Sequence, residues 1–113
     1  MRQVGVLAAA GLVALDTMVD RLAEDHAHAR RLAEGVSTLR GLTVNLANVQ
    51  TNIVIFQVDP PDGAAALVSG SLARKVKIHQ IGPNAIRCVT HKDVDGEDID
   101  RALDAIREIT TTW

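Results

Sequence analysis

The residue of this 113-residue chain whose position most suggests binding chemistry is Arg87. It stands in the run AIRCVT, between Ile86 and Cys88, where the pattern predicts a β-strand. An unpaired guanidinium is costly to bury, so Arg87 either extends to the surface or faces a pocket that supplies an anion. A guanidinium suits a carboxylate, because two of its N–H groups match the two carboxylate oxygens. The pattern leaves both alternatives open, and surface exposure is the more common one.

Arg2 is a second cationic group in an unusual place, just before the apolar run from Val4 to Leu15. The dipole of a helix opposes a positive charge at the helix start. Arg2 is therefore expected either to be disordered or to be directed at an anion elsewhere.

The histidines and the single cysteine form no recognisable catalytic or metal-binding pattern. His26 and His28 are two residues apart on a predicted helix, so their side chains point in different directions. His79 and His91 lie in separate segments, without carboxylate or thiol ligands at metal-binding spacing. Cys88 is flanked by apolar residues and is predicted to be a buried structural thiol. We assign no metal ligand and no catalytic residue.

The three lysines, Lys75, Lys77 and Lys92, are expected at the surface. A lysine that attacks a carbonyl needs a desolvated or charge-paired ammonium, and nothing in the sequence marks one.

Composition argues against several classes of partner. The chain has 12 Lys and Arg against 14 Asp and Glu, with no block of like charge, which argues against a nucleic-acid surface. A single cysteine excludes an internal disulfide and fits a reducing compartment, so we expect a cytoplasmic location. The apolar run near the N-terminus is too short to span a bilayer. It also resembles a short signal peptide, but no convincing cleavage site follows it.

Two helices are predicted in the first part of the chain, at 2–15 and 17–39. The first is apolar on all sides, and such a helix must be buried, so we expect another domain or subunit to cover it. Thr17, with Asp20 three residues later, predicts a capping box for the second helix. Gly41 is well placed to end it.

The rest of the chain predicts an α+β fold. The expected elements are strands at 42–46, 51–58, 76–81 and 85–90, a helix at 63–75 capped by Asp62, and a last helix that is capped by Asp95 with Asp98 and runs to about Thr111. This order predicts a mostly antiparallel sheet of about four short strands with helices packed on it, preceded by two helices. The unbroken apolar run at 53–56 predicts a strand that is covered on both faces.

The chain resembles the L-threonine aldolase family, the beta-eliminating lyase group of fold-type-I pyridoxal-phosphate enzymes. The resemblance rests on four segments in order, MRQVGVLAAAGLVAL, RLAEDHAHARRLAEGV, QTNIVIF and IRCVTHKDV. It implies the C-terminal small domain of such an enzyme, one structural unit with connecting and first small-domain helices at 1–40 and an α+β domain at 41–113. The stretch SGSLARKVKIHQIGP matches loosely, and Lys75 stands where a turn glycine would be more usual.

The resemblance also implies roles and partners. Arg87 would bind the α-carboxylate of an amino-acid substrate, and Arg2 would approach the phosphate of pyridoxal 5'-phosphate. Asn52 and His91 would orient the strands and the loop near Arg87. The lysine that carries the cofactor would lie on a large domain before residue 1. The implied partners are therefore that large domain or subunit and further copies in a homo-oligomer, without nucleic acid or membrane, and the chain alone would be inactive.

Two alternatives come from other classes of protein. The chain could be a non-enzymatic module that binds amino acids, or an interaction module that docks through its first helix. The joint presence of MRQ and R-x-VTH favours the aldolase domain over both.

Overall fold

A computed structural model describes residues 2–113 of the chain. In chain order its elements are α1 (Val4–Thr17), α2 (Leu22–Ser37), β1 (Leu42–Thr43), a 3-10 turn (Leu46–Asn48), β2 (Ile53–Val58), α3 (Gly63–Ala73), β3 (His79–Gln80), β4 (Ala85–Val89) and α4 (Gly96–Thr110). The predicted α+β class is confirmed.

The four strands form one antiparallel sheet in the order β1-β2-β4-β3. The two edge strands are only two residues long, shorter than predicted. The first ends early because the Asn45 side chain accepts a hydrogen bond from the Ala47 N–H and starts the 3-10 turn. The other begins late because the Val76 N–H donates to the Ser71 carbonyl, 2.9 Å away, and so belongs to the end of α3.

One face of the sheet forms the core. Helices α2 and α3 pack on this face, and α4 packs against both helices. The largest side chains buried there include Phe56, Leu67, Ile86 and Ile106. The core contains no tyrosine and one phenylalanine, so it is built almost entirely from aliphatic side chains.

The opposite face of the sheet is open within the described chain. Side chains of β2 alternate between exposed and buried, so that Ile53 is 41% exposed and Ile55 is 46% exposed. The chain therefore provides only one of the two covering layers that the apolar run predicted.

Helix α1 buries none of its residues. It carries the exposed side chains of Val6, Leu7, Leu12 and Leu15, among others. The radius of gyration is 16.1 Å, whereas a compact domain of this length has about 13 Å. The longest dimension is 50 Å against 28 and 24 Å in the other two directions. The chain is therefore elongated, and the predicted cover for this helix must come from outside it.

The helix ends follow the sequence prediction in part. The Asp95–Asp98 capping box is confirmed, with the Asp98 N–H donating to Asp95 Oδ1 at 2.9 Å. The Thr17–Asp20 capping box was wrong, because α1 continues through Thr17, whose hydroxyl donates to the Val13 carbonyl at 2.7 Å.

Two further helix boundaries differ from the prediction. Asp62 precedes α3 but adopts a positive φ of 59° and makes no side-chain cap. Helix α2 ends at Ser37, and Gly41 follows only after a turn, with a φ of 77° and with Trp113 packed against it.

Candidate functional site

Arg87 lies at the middle of β4, on the open face of the sheet. Its register partners are Ile55 on β2 and His79 on β3. Because β4 is an interior strand, the exposure of Arg87 comes from the uncovered face and not from a position at the sheet edge. Within residues 2–113 the guanidinium has no hydrogen bond or ion pair, so it is available to an anion from outside.

The surroundings of Arg87 on this face are largely apolar. Ile53 pairs with Val89 in the β2–β4 ladder, and both side chains are nearly half exposed. A partner that covered these side chains would also remove water from Arg87, which would then require an anionic group. Within residues 2–113 the open face thus places the Arg87 guanidinium among exposed apolar side chains.

A hollow of about 370 Å³ continues this face toward β1. Its lining combines Ile53 and Ile55 with amide and hydroxyl side chains, among them Thr43, Asn48 and Gln57. Among residues 2–113 no charged side chain lines it, so the hollow suits neutral polar groups beside apolar ones.

The end of β4 is fixed by hydrogen bonds at Thr90, three residues beyond Arg87. The Thr90 N–H donates to the Asn52 carbonyl at 2.9 Å, and the Asn52 side-chain amide donates to the Thr90 carbonyl at 2.8 Å. The Thr90 hydroxyl donates to the Asp25 carbonyl at 2.7 Å. Asn52 thus joins the start of β2 to the end of the strand that carries Arg87.

His91 lies just beyond this clamp and is exposed. Its Nδ1 accepts a hydrogen bond from the Asp93 N–H at 3.2 Å, which shapes the turn toward α4. It makes no hydrogen bond or ion pair with Arg87 in the described part of the chain.

Sequence reasoning missed the part that α2 plays in this clamp. The buried Asp25 receives two hydrogen bonds from the Arg21 guanidinium, at 3.2 and 3.3 Å. This pair holds the turn of α2 whose carbonyl receives the Thr90 hydroxyl. The arginine–aspartate spacing of four residues was the available signal, but nothing local links it to a strand 65 residues away.

Arg2 lies in the turn before α1 and is exposed. It forms no hydrogen bond or ion pair within residues 2–113.

The remaining candidates take structural places. Cys88 is on the buried face of the sheet, and burial raises the pKa of its thiol to about 12, so the thiol stays protonated at neutral pH. The predicted structural thiol is confirmed. All three lysines are exposed. Among residues 2–113, no group of three His, Cys, Asp or Glu side chains converges as a metal site. No helix in this range is long and apolar enough to cross a membrane.

The comparison of folds defines the class of protein. The structure superposes with a TM-score of 0.74 on a solved C-DES mutant that holds glycine covalently linked to its PLP cofactor. The match covers 92% of this chain and 28% of that one, at 24% sequence identity. The fold is therefore that of a part of a fold-type-I pyridoxal-phosphate enzyme.

Sequence comparison gives the family. Residues 1–59 match the family model for beta-eliminating lyases. The chain is 38% identical over 111 residues to the probable low-specificity L-threonine aldolase 2 of Arabidopsis thaliana, and 40% identical over 99 residues to the low specificity L-threonine aldolase of Escherichia coli. These alignments cover 96% and 88% of this chain. The chain belongs to the L-threonine aldolase family of beta-eliminating lyases.

The chain spans less than a third of the length of these relatives, 31% and 28% respectively. Pyridoxal phosphate is the cofactor of the family, and the solved structure above carries it. Within residues 2–113 the chain offers Arg2 and Arg87 without hydrogen bonds or ion pairs, and a guanidinium is a group that can hold a phosphate or a carboxylate.

Proposed function

We propose that this chain is the C-terminal domain of a pyridoxal-phosphate-dependent L-threonine aldolase and that Arg87 binds the α-carboxylate of the substrate. The reaction is the cleavage of threonine or allo-threonine to glycine and acetaldehyde. The single observation that carries the proposal is the unpaired guanidinium of Arg87 at the centre of an uncovered, largely apolar sheet face. The match of the R-x-VTH segment to the family supports it.

Arg87 acts by orientation. When bound, the cofactor supplies an electron sink, which weakens whichever bond to the substrate Cα stands perpendicular to its ring. Two N–H groups of Arg87 donate hydrogen bonds to the two carboxylate oxygens and so fix the rotation of the substrate about the bond between its nitrogen and Cα. With the carboxylate held in this way, Arg87 would favour the substrate orientation in which the Cα–Cβ bond, and not another bond to Cα, is cleaved.

The Asn52–Thr90–Asp25 clamp holds the strand that carries Arg87. Donors that bind a carboxylate must be held in place, and the hydrogen bonds at Thr90 fix the strand end to β2 and to α2. We propose Asn52 and Thr90 as positioning residues, which act through Arg87 and do not touch the substrate.

Arg2 is the proposed contact to the phosphate of the cofactor. It is exposed at the N-terminal end of α1, where Gln3 makes no side-chain cap. Free N–H groups and a guanidinium at one helix end together favour an anion. The base that takes the proton of the substrate β-hydroxyl belongs to the large domain in this proposal.

A large domain or a neighbouring subunit is the proposed partner of α1 and of the open sheet face. Both surfaces are apolar and exposed in the chain alone, and a surface of this kind is unfavourable in water. The complete enzyme is an oligomer in the cytoplasm in this proposal, and a single cysteine, which has no partner for an internal disulfide, is compatible with that compartment. Without the large domain the chain is inactive.

The test of this proposal is the coding sequence upstream of Met1. We expect a stretch that encodes a large domain with the lysine that holds the cofactor. If nothing related lies there, the chain is a module without this chemistry. In that case a thermal shift with free threonine or glycine, which the proposal does not expect, would favour an amino-acid-binding module.

A further inference from the structure

A second cavity lies on the other side of the sheet from Arg87, between β4 and the start of α4. Its volume is about 300 Å³, at the lower end of the range for small-molecule sites. Its floor is apolar and includes Leu32, Ile78, Cys88 and Ile106. It shares Val89 and Thr90 with the strand end near Arg87, but its floor and the segment 75–78 lie outside the surfaces assigned above.

The cavity exists because β3 is short. A strand over 76–81 would have continued the ladder on β4 past the pair of His79 with Arg87, but the ladder ends there. The segment 75–78 instead leaves the sheet and lines the cavity together with the end of β4. Backbone that would have closed the sheet therefore forms the mouth of a cleft.

Lys75 at this mouth is held in a strained conformation. Its φ is 63°, in the left-handed region that favours glycine. The Lys75 N–H donates to the Leu72 carbonyl and the Val76 N–H to the Ser71 carbonyl, both at 2.9 Å. These two bonds are the Schellman ending of a helix, in which this position is usually glycine. A lysine here costs stability, which is understandable if its ammonium group has a function at the cleft.

The mouth carries charges of both signs, and two of its cations have no ion pair within residues 2–113. Asp98 accepts a hydrogen bond from the Asp95 N–H in the capping box of α4 and lies 3.9 Å from the Arg101 guanidinium. Asp93 lies 3.7 Å from the Lys92 ammonium. Lys75 and Lys77 line the cleft and form no ion pair within residues 2–113. An apolar floor below two free ammonium groups matches a ligand with a short aliphatic tail and one negative charge.

We infer that this cleft binds a small aliphatic carboxylate, with its chain on the apolar floor and its carboxylate between Lys75 and Lys77. The site is separate from the substrate position at Arg87 and does not depend on the proposed aldolase function. A ligand there would also bridge the end of α3 and the start of α4.

The inference is tested on the full 113-residue chain with hexanoate as the probe, followed by methyl NMR. We expect saturable shifts of the methyl groups of Ile78, Ile99 and Ile106, which line the cleft, and none at Ile53 and Ile55 on the opposite face. Hexanamide has the same shape without the charge, and its affinity should be lower than that of hexanoate by a factor of about ten or more. Equal binding of hexanoate and hexanamide would overturn the inference.

Substitutions test which cationic side chains bind the carboxylate of hexanoate. Lys75→Gly and Lys77→Gln should each weaken hexanoate binding about tenfold, whereas Arg40→Gln removes a charge outside the cleft and should leave it unchanged. Lys75→Gly should at the same time raise the melting temperature, because glycine relieves the strain. If Lys75→Gly melts at a higher temperature but binds hexanoate more weakly, the weaker binding cannot result from unfolding. Unchanged affinity for hexanoate in both lysine variants would contradict the assignment. Loss of the hexanoate-induced methyl shifts in an Arg87→Gln variant would contradict it as well.

Discussion

The hydroxyl of Thr90 donates a hydrogen bond of 2.7 Å to the backbone carbonyl of Asp25, and so joins the end of β4 to the first turns of α2. Thr90 is 1% exposed, and water cannot replace the bond at such a site. The two residues are 65 positions apart in sequence. The helix and the strand that carries Arg87 are thus fixed to each other at one point.

Loss of this bond should destabilise the chain. Thr90→Val keeps the shape of the side chain but leaves the Asp25 carbonyl without its buried donor, which costs about 1–3 kcal/mol of the free energy of unfolding. Urea denaturation measures the loss. The matched control is Thr111→Val, because the Thr111 hydroxyl is exposed and bonds within its own helix. Equal losses in the free energy of unfolding for the two substitutions would show that the buried Thr90 hydrogen bond contributes no more to stability than the exposed one at Thr111.

The crossing of α2 and α4 depends on the absence of a side chain at Gly35. A Cβ at this position would lie 2.5 Å from Cδ2 of Leu103. Gly35→Ala should therefore destabilise the chain by about 1–3 kcal/mol through overpacking, even though alanine favours helix. Gly11→Ala is the matched control, since a Cβ there has no neighbour within 4 Å. A Gly35→Ala variant with unchanged or increased stability would contradict the packing described for these helices.

The start of α4 should show an acid dependence. The hydrogen bond from the Asp98 N–H, first among several causes, lowers the pKa of Asp95 below its usual value. A carboxylate with a lower pKa in the folded state stabilises the fold above its unfolded pKa of about 4, and this contribution is lost as the pH falls through the folded value.

Thermal unfolding between neutral pH and about pH 2 measures this contribution. Asp95→Asn keeps an acceptor for the cap but has no titrating group, so its melting temperature should fall less with acid than that of the unchanged chain. Asp104→Asn, on the exposed part of the same helix, is the control. Identical acid profiles for the unchanged chain and Asp95→Asn would contradict the role of the charge.

Helix α1 should drive self-association of the isolated chain. Its leucines and valines are exposed, and their burial against a second surface is favourable. Light scattering should show a mass that rises with concentration, and the paired change Leu7→Lys with Leu15→Lys should reduce it. Leu72→Lys is the control, because Leu72 is a 61% exposed leucine on α3. A monodisperse monomer of the unchanged chain would argue against a docking role for α1.

The elements that the sequence predicted well are those whose causes are local. Helix α4 has its capping box and its apolar stripe within one short segment, and both were found where the pattern placed them. The elements predicted poorly depend on distant partners or on competition between bonds. The strand at 76–81 was overestimated because its β-branched residues read as extended, whereas the Val76 N–H completes the end of α3.

The candidate site shows the same division. The position of Arg87 within an apolar strand was sufficient to single it out. Its place on an interior strand beside Ile55 and His79 comes from strand pairing that no local pattern contains. The spacing of Arg21 and Asp25 indicated a pair on α2, but the link from Asp25 to Thr90 could not be foreseen, because it runs through a backbone carbonyl and carries no signal in residue type.

Substitution of Arg87 in an active enzyme tests the central claim most directly. The chain can replace the matching segment of the E. coli relative, which is 40% identical to it over 99 residues. Steady-state kinetics of threonine cleavage by this chimera would then be compared with those of its Arg87→Gln, Arg87→Lys and Arg40→Gln variants. We expect Arg87→Gln to raise KM and to lower kcat/KM about 100-fold or more, with Arg87→Lys in between and Arg40→Gln unchanged. An Arg87→Gln chimera with undiminished kcat/KM would contradict the assignment of Arg87 to the substrate carboxylate.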